Sequence, residues 1–359
     1  MRVLQLIDSL NAGGAERVAV NYANALSTRV EGAYLCTTRK EGALKEFIYS
    51  EVSYLYLNRT KTLDIRATLK LKRYIQENKI QIVHAHGSSY FIAVLVKIIF
   101  PKFILVWHCH DGKTQQFGRF KKNTLRYLSR WFDTIFTVSE LLLKWCEDYL
   151  KGRRAYYIKN FVVDTKPKSK PPHLFPGVDG KRLVCVANLR PDKNHGLLLD
   201  AFSMILKKEP EATLHLFGTD FKDEYSKIIL GIIEVQFRES VFYHGMYPDI
   251  LAILPAFDVG VLSSDAEGLP LALLEYGQVG FPTVVTDVGQ CKEVVNGHAE
   301  VLSKGDGKAI ARSVLKILKN PLSAKEQGRK LQAHFKAAFG ESTILNQVMS
   351  IYEEELKNI

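Results

Sequence analysis

Ser264-Asp265-Ala266-Glu267-Gly268-Leu269-Pro270-Leu271-Ala272-Leu273-Leu274-Glu275 places two carboxylates, Glu267 and Glu275, with seven residues between them, on either side of a helix start. Just before it, Asp258 to Leu262 is an apolar run of strand length. Gly268 belongs in a loop, and Pro270 suits the first turn of a helix, where a backbone N–H has no partner to lose. Strand, loop, helix is the unit whose helix N-terminus leaves N–H groups free to hold a phosphate. Glu275 then falls inside the apolar run, where a carboxylate is costly to bury unless something hydrogen-bonds it. Ribose hydroxyls are partners of that kind.

The same alternation runs outward in both directions. Strand-like runs lie near Val3–Ile7, Ala33–Cys36, Val52–Leu57, Ile80–His84, Ile104–Trp107, Thr134–Val138 and Ala155–Ile158, with helix-like segments between them. A second series follows near Arg182–Ala187, Thr213–Phe217, Val241–Tyr243, Phe257–Leu262 and Thr283–Thr286. Such alternation predicts an α/β chain with doubly wound parallel sheets. At 359 residues the chain exceeds one ordinary core and fits two Rossmann-like domains, 1–165 and 166–340, followed by a helix in 341–359 that packs back on the first. The proline- and lysine-rich stretch from Lys166 to Gly177 reads as the linker. Two such domains facing one another leave a cleft at the C-terminal ends of their strands, where open sheets bind ligands.

Composition narrows the class. Hydrophobic residues make up 47% and charged residues 24%, as in a soluble globular protein. The five cysteines are scattered with no pair at zinc or redox spacing, which points to a reducing compartment. Met1 leads straight into a strand-like run rather than a secretory leader. The most hydrophobic stretch, Tyr90 to Trp107, is broken by Lys97, Pro101 and Lys102, so it reads as a buried helix and strand rather than a membrane span. A cytoplasmic protein, or one peripheral on the inner membrane face, is expected.

Residues 1–165 carry 26 basic and 14 acidic side chains against 23 and 24 in the remainder, so the whole excess of +11 lies in the first domain. That asymmetry suggests an anionic surface or ligand facing it. Arg119 to Phe132 mixes basic and aromatic residues at helical spacing, which fits a helix lying on a membrane surface and equally a packed helix with a solvated basic face. The basic residues are dispersed, which argues against nucleic acid.

Four other segments carry chemistry. Asn11-Ala12-Gly13-Gly14-Ala15-Glu16-Arg17 follows the first strand and opens the first helix; its paired glycines permit close backbone approach to a phosphate or sugar oxygen, although Glu16 also suits the helix dipole. Leu189 to His195 follows the first strand of the second series and puts Arg190 and Lys193 where cations neutralise a leaving diphosphate, or form a solvated turn. His108-Cys109-His110-Asp111 sets His110 at a strand end, able to bond a sugar hydroxyl or move a proton. His84 and His86 lie at another strand end, in a structural or acceptor-side role. Two histidines do not make a metal site, no third ligand has suitable spacing, and no Asp-x-Asp triplet occurs, so no divalent metal is expected.

Taken together, these motifs resemble the retaining glycosyltransferases of family 4, which have the GT-B architecture. The resemblance runs from Gly13-Gly14 through Asn188–Lys193 to Glu267–Glu275 and the Phe281–Gly289 stretch after it. It implies that the first domain binds the acceptor and the second a nucleoside-diphosphate sugar, a UDP-sugar being favoured. It also implies that Glu275 holds the ribose, Glu267 the donated sugar, and the N–H groups of Gly268, Leu269 and Leu271 the diphosphate. Lys193 matches the family's phosphate lysine, Gly14 its phosphate loop and His110 its sugar-contacting histidine. The family commonly has an Arg five residues before that lysine; here the position is Asn188, and Arg190 is the candidate replacement. Transfer with retention to a lipid-linked or polysaccharide acceptor, with no metal cofactor, is the activity implied. A GT-B epimerase acting without an acceptor, and a catalytically silent partner-binding subunit, are the alternatives.

Overall fold

The computed structural model describes all residues except 12, 111–117, 153, 162–174, 248 and 359. Most of the expected linker, and residues 111–117 of the expected acceptor loop, therefore lie outside the described residues. The chain divides into two compact units, Met1–Val163 with Glu341–Ile359, and Asp164–Gly340.

The first unit is built on seven strands: β1 (Arg2–Ser9), β2 (Gly32–Lys40), β3 (Val52–Tyr56), β4 (Ile82–His86), β5 (Ile104–Cys109), β6 (Thr134–Thr137) and β7 (Arg154–Tyr157). They run β3-β2-β1-β4-β5-β6-β7, every pair parallel. The second unit holds β8 (Arg182–Val186), β9 (Thr213–Phe217), β10 (Val241–Tyr243), β11 (Val259–Leu262), β12 (Thr283–Thr286) and β13 (Glu300–Leu302), in the order β10-β9-β8-β11-β12-β13 and again all parallel. In each sheet the winding reverses beside its first strand, between β1 and β4 and between β8 and β11, which is where sheets of this type bind ligands.

Parallel strands have helices on both faces, so they survive burial only as near-continuous apolar runs. Leu4, Leu6, Val83, Ala85, Leu105 and Trp107 fill one side of the first sheet. Leu183, Cys185, Leu214, Leu216, Val259 and Val261 do so in the second. All five cysteines are buried free thiols, and among the described residues no helix is long and apolar enough to cross a membrane. The final helix, Glu341–Lys357, buries a stripe of Ile344, Leu345, Val348, Ile351, Tyr352 and Glu355 at helical spacing. Its Tyr352 hydroxyl lies 2.7 Å from His84 Nδ1, and Thr134 Oγ1 donates to its Glu355 at 2.9 Å.

Beyond end shifts in strands such as β2, β5, β7 and β11, three departures from the expected boundaries stand out. β4 covers Ile82–His86 rather than Ile80–His84, which puts both of its histidines in the sheet. Three half-buried residues form the unanticipated edge strand β13, too short to show a pattern. Pro270 is not in the first turn: its extended ψ of 120° makes it the residue before the helix, which runs Leu271–Val279.

Candidate active site

In the second unit the loops after β8 and β11 meet beside the switch point. After β8 a short turn over Pro191–Lys193 ends at Asn194, whose left-handed φ of 48° turns the chain into the helix His195–Leu206. Its side chain caps that helix by accepting from Leu197 N at 3.1 Å. The loop after β11 is stitched to this turn: Asp265 N donates to Asp192 O at 2.8 Å, Asn194 Nδ2 to Asp265 Oδ2 at 3.1 Å, and Ser263 Oγ lies 3.1 Å from the carbonyls of Lys193 and Asn194. Held this way, Lys193 Nζ sits 2.6 Å from Glu267 Oε2, and Ser264 Oγ donates to Glu267 Oε1 at 2.7 Å. Only 7% of the Glu267 side chain and 20% of Lys193 are exposed, so the pair is largely removed from solvent screening. Gly289 backs the loop at φ +54°, where a Cβ would run into the Glu267 carbonyl, and Gln290 N donates to Gly268 O at 3.1 Å.

Gly268 is exposed with open space around its Cα, Leu269 is buried, and Leu271 opens the helix that carries the half-buried Glu275. The neighbouring Tyr276 is fully buried and accepts from Val186 N at 2.8 Å, which pins this helix to β8. Two other residues have different partners. Asn188 Oδ1 accepts from Thr219 N at 2.8 Å and so joins the ends of β8 and β9. Arg190 is exposed and stacks its guanidinium 4.7 Å above the Phe221 ring.

In the first unit, Gly13 caps the helix Gly14–Leu26, and Gly14 is exposed at its first position. A Cβ on Gly13 would meet the Glu16 carboxylate, which folds back over the helix N-terminus as the dipole reading requires. His110 follows β5 and is half-buried. The parallel register pairs Gln5 with His84 and His86 with His108, so Gln5 and the four histidines share one sheet face. His84 Nε2 lies 3.1 Å from His108 Nδ1, His86 Nδ1 2.9 Å from His110 Nε2, and His86 Nε2 2.7 Å from Gln5 Oε1. Burial, reinforced by the neighbouring imidazoles, holds His84, His86 and His108 well below the ordinary range, and burial presses His110 down to about 3.

The expectation that no third ligand stands near His108 is corrected here. Nitrogens of His84, His86 and His108 lie within 4.8 Å of one another, because the strands bring together what sequence spacing keeps apart. These imidazoles are the residues that could hold a soft or borderline metal. Their nitrogens bond chiefly to one another and to Gln5 and Tyr352, and the cluster contains no carboxylate to offset a dication. Sequence reasoning also missed Asp8, which accepts from Ser88 Oγ at 2.7 Å and Arg59 Nη2 at 3.1 Å and bonds Thr38. A lone Asp ending a strand gives no signal of that hub.

Two family models match. The Glycosyltransferase Family 4 model covers residues 12–166 and the Glycosyl transferases group 1 model covers 180–320, together most of the chain. The fold is shared with solved GT-B glycosyltransferases: Anabaena HepE in complex with UDP and glucose superposes with a TM-score of 0.81 at 18% identity, over 98% of this chain and 99% of that one. Mannosylfructose-phosphate synthase of Agrobacterium fabrum is 34% identical over 31% of this chain and 26% of its own length. The O-antigen biosynthesis glycosyltransferase WbnH of Escherichia coli is 28% identical over 66% of this chain and 68% of its own. The chain spans from about a quarter to about half of the length of the first curated relatives it matches. The chain belongs to the group 1 glycosyltransferases, family 4, and has their GT-B fold.

Proposed function

We propose that this protein transfers a sugar, with retention at the anomeric carbon, from a nucleoside-diphosphate sugar to a lipid-linked or polysaccharide acceptor in cell-surface glycan biosynthesis, without a divalent metal. The observation that carries this reading is the Lys193–Glu267–Ser264 constellation at the β8/β11 switch point, one helix turn and a loop away from Glu275. Lys193 offsets the charge of the leaving diphosphate, aided by the N–H groups of Gly268, Leu269 and Leu271. Glu267 accepts hydrogen bonds from the donated sugar and Glu275 from the ribose; in the first unit, the family resemblance makes His110 a sugar contact and the Gly13-Gly14 turn a phosphate loop. The bond from the anomeric carbon to the phosphate oxygen breaks as the acceptor oxygen attacks from the same face, and the acceptor proton passes to the leaving phosphate. Such chemistry asks for positioning and charge stabilisation rather than for a protein nucleophile.

A UDP-sugar is the favoured donor, because HepE is described with UDP and a relative is named a UDP-Gal galactosyltransferase. Several relatives are named for O-antigen or diphosphoundecaprenol-linked synthesis, which supports the acceptor class. Peripheral association with an anionic membrane surface on the cytoplasmic side fits the helix Arg119–Leu128, where Phe120 and Tyr127 stand exposed among Arg119, Lys121 and Arg126. A thermal-shift panel of UDP-, GDP- and ADP-sugars tests the donor. The right ligand at one hundred times its dissociation constant adds about 2.7 kcal/mol. A panel in which no nucleoside diphosphate stabilises the protein would instead mark a silent subunit.

A further inference from the structure

We propose that the starts of the three helices that follow β3, β5 and β6 form one docking rim, with Leu63, Ile65, Phe120 and Leu141 entering the acyl boundary of an anionic bilayer. The first unit is thereby set down on lipid by the edge of its sheet that receives the acceptor. This rests on the readings that give the acceptor to the first unit and bring the protein to a membrane, and it adds the side chains that insert.

One face of the first sheet carries four helices, Ile65–Glu77, Tyr90–Ile99, Arg119–Leu128 and Glu140–Tyr149. Their inner sides, Leu71, Ile92, Leu125 and Leu142 among them, share one core with Leu105 and Trp107 of β5. Among the described residues the first unit exposes eight large apolar side chains, and each lies on one of these helices or within two residues of one. The helices Gly14–Leu26 and Glu341–Lys357 contribute none. The four most exposed in this unit are Phe120 at 85%, Ile65 at 77%, Leu141 at 70% and Leu63 at 68%. All four stand within two residues of a helix start. A helix begins on the side of the sheet where the strand before it ends, so these side chains share the C-terminal edge of the strands, where open sheets bind ligands. The Asp64 carboxylate between Leu63 and Ile65 lies within electrostatic reach of Arg59, which donates to Asp8 near the end of β1 at 3.1 Å.

Single exposed apolar residues are ordinary, but a row of them along one edge marks a surface that meets something. On the helix Ile65–Glu77 the buried stripe is Ala67, Thr68, Leu71 and Ile75, so Ile65, Leu69 and Arg73, four residues apart, run down the opposite side. The side that water should keep polar is therefore apolar and basic. Lys61, Arg66, Arg119 and Lys121 stand exposed beside the rim. Of the carboxylates there, Asp64 is spent on capping its helix through Ala67 N at 3.0 Å, which leaves Glu140 at the start of the third helix. Protein interfaces are depleted of lysine, whereas a bilayer offers acyl chains to the apolar side chains and anionic headgroups to the cations around them. That complementarity selects lipid over a second copy of the chain.

The test sediments the full-length protein with vesicles of phosphatidylcholine containing about one-third phosphatidylglycerol, enough to set up a negative surface potential. Wild type is expected to sediment with them, to be released by high salt, and to stay in solution with phosphatidylcholine alone. The double variant Leu63→Ser/Ile65→Ser and the variant Phe120→Ser should each lower the partition coefficient about tenfold or more. Leu322→Ser, at a side chain just as exposed in the second unit, should leave it unchanged. Thermal stabilisation by a nucleoside diphosphate should match wild type in every variant, which shows that the fold is intact. Wild type that ignores the anionic vesicles overturns the rim and the membrane reading together. Equal sedimentation with phosphatidylcholine alone overturns the anionic assignment. Wild-type partition by the apolar variants overturns the rim, and if replacing Arg119, Lys121 and Arg126 by alanine then abolishes binding, the membrane reading stands without it. A wild-type dimer in analytical ultracentrifugation that Leu63→Ser/Ile65→Ser turns monomeric makes the rim a contact between copies, and overturns the proposal as well.

Discussion

Lys193 and Glu267 are 74 residues apart in sequence and 2.6 Å apart in space, and their pairing sets the first prediction. Glu267→Gln keeps a side chain that Ser264 can bond but leaves Lys193 with only the more distant Asp192 carboxylate, 3.9 Å away. Lys193→Ala removes the cation assigned to the diphosphate. Each is expected to lower kcat/KM by roughly 10²–10³-fold, the range seen when one preorganised electrostatic group is lost. Steady-state assays with the donor found by thermal shift check this, and rates within threefold of wild type would remove both residues from the site. Lys193→Arg should not rescue, because a flat guanidinium does not fill the place of a compact ammonium between a carboxylate and a phosphate. At this scale the sequence made residue types legible and made partners illegible. Glu267, Lys193 and His110 stand out because charged and titratable groups at strand ends are unusual. Nothing in the spacing said that Ser264 would hold Glu267, that Asn188 would be spent on Thr219, or that Arg190 would lie on Phe221.

The helix Leu271–Val279 shows what an element contributes. It carries Glu275, and it is held to β8 by the buried Tyr276 hydroxyl, which accepts from Val186 N at 2.8 Å. Tyr276→Phe leaves that N–H unsatisfied in a dry interior and should cost about 1–3 kcal/mol in urea unfolding. It should also weaken nucleoside-diphosphate binding measured by calorimetry, since Glu275 moves with its helix. An unchanged affinity with the expected loss of stability would show that the helix position is fixed by other contacts. Most strands were legible because parallel strands under two helical layers must be apolar throughout, so Thr213–Phe217 and Thr283–Thr286 occur as expected. The edge strand β13 was not, because three half-buried residues leave no period to read. The pairing of two His-x-His strands was signalled only weakly. Alternation puts each pair of histidines on one face, but whether the two faces coincide depends on the register between β4 and β5, which sequence does not state.

For the whole molecule, buried neutral imidazoles govern the response to acid. His84, His86 and His108 lie well below the ordinary range, His110 and His215 near 3, and His195 near 4, burial being the leading cause in each. Their folded values lie below the unfolded value of about 6.5, so the unfolded chain takes up protons first. The stability they lend is complete above that value and is lost as pH falls towards the folded ones, at about 1.4 kcal/mol per pH unit for each ring. Urea midpoints are expected to drop steeply between pH 7.5 and pH 5, and equal midpoints would mean the rings are protonated in the native state. Deleting Glu341–Lys357 should unfold the first unit, since it uncovers His84 and Thr134 and removes the partners Tyr352 and Glu355; circular dichroism and proteolysis of the truncated chain would report a surviving fold if that is wrong. The same helix has a consequence for synthesis. The seven strands of the first unit have all been translated before residue 160, yet the helix that covers their histidine face is made only after the whole second unit. On the ribosome the second unit can finish folding while the first still waits for its lid, so the half of the protein that is made first is the half that matures last.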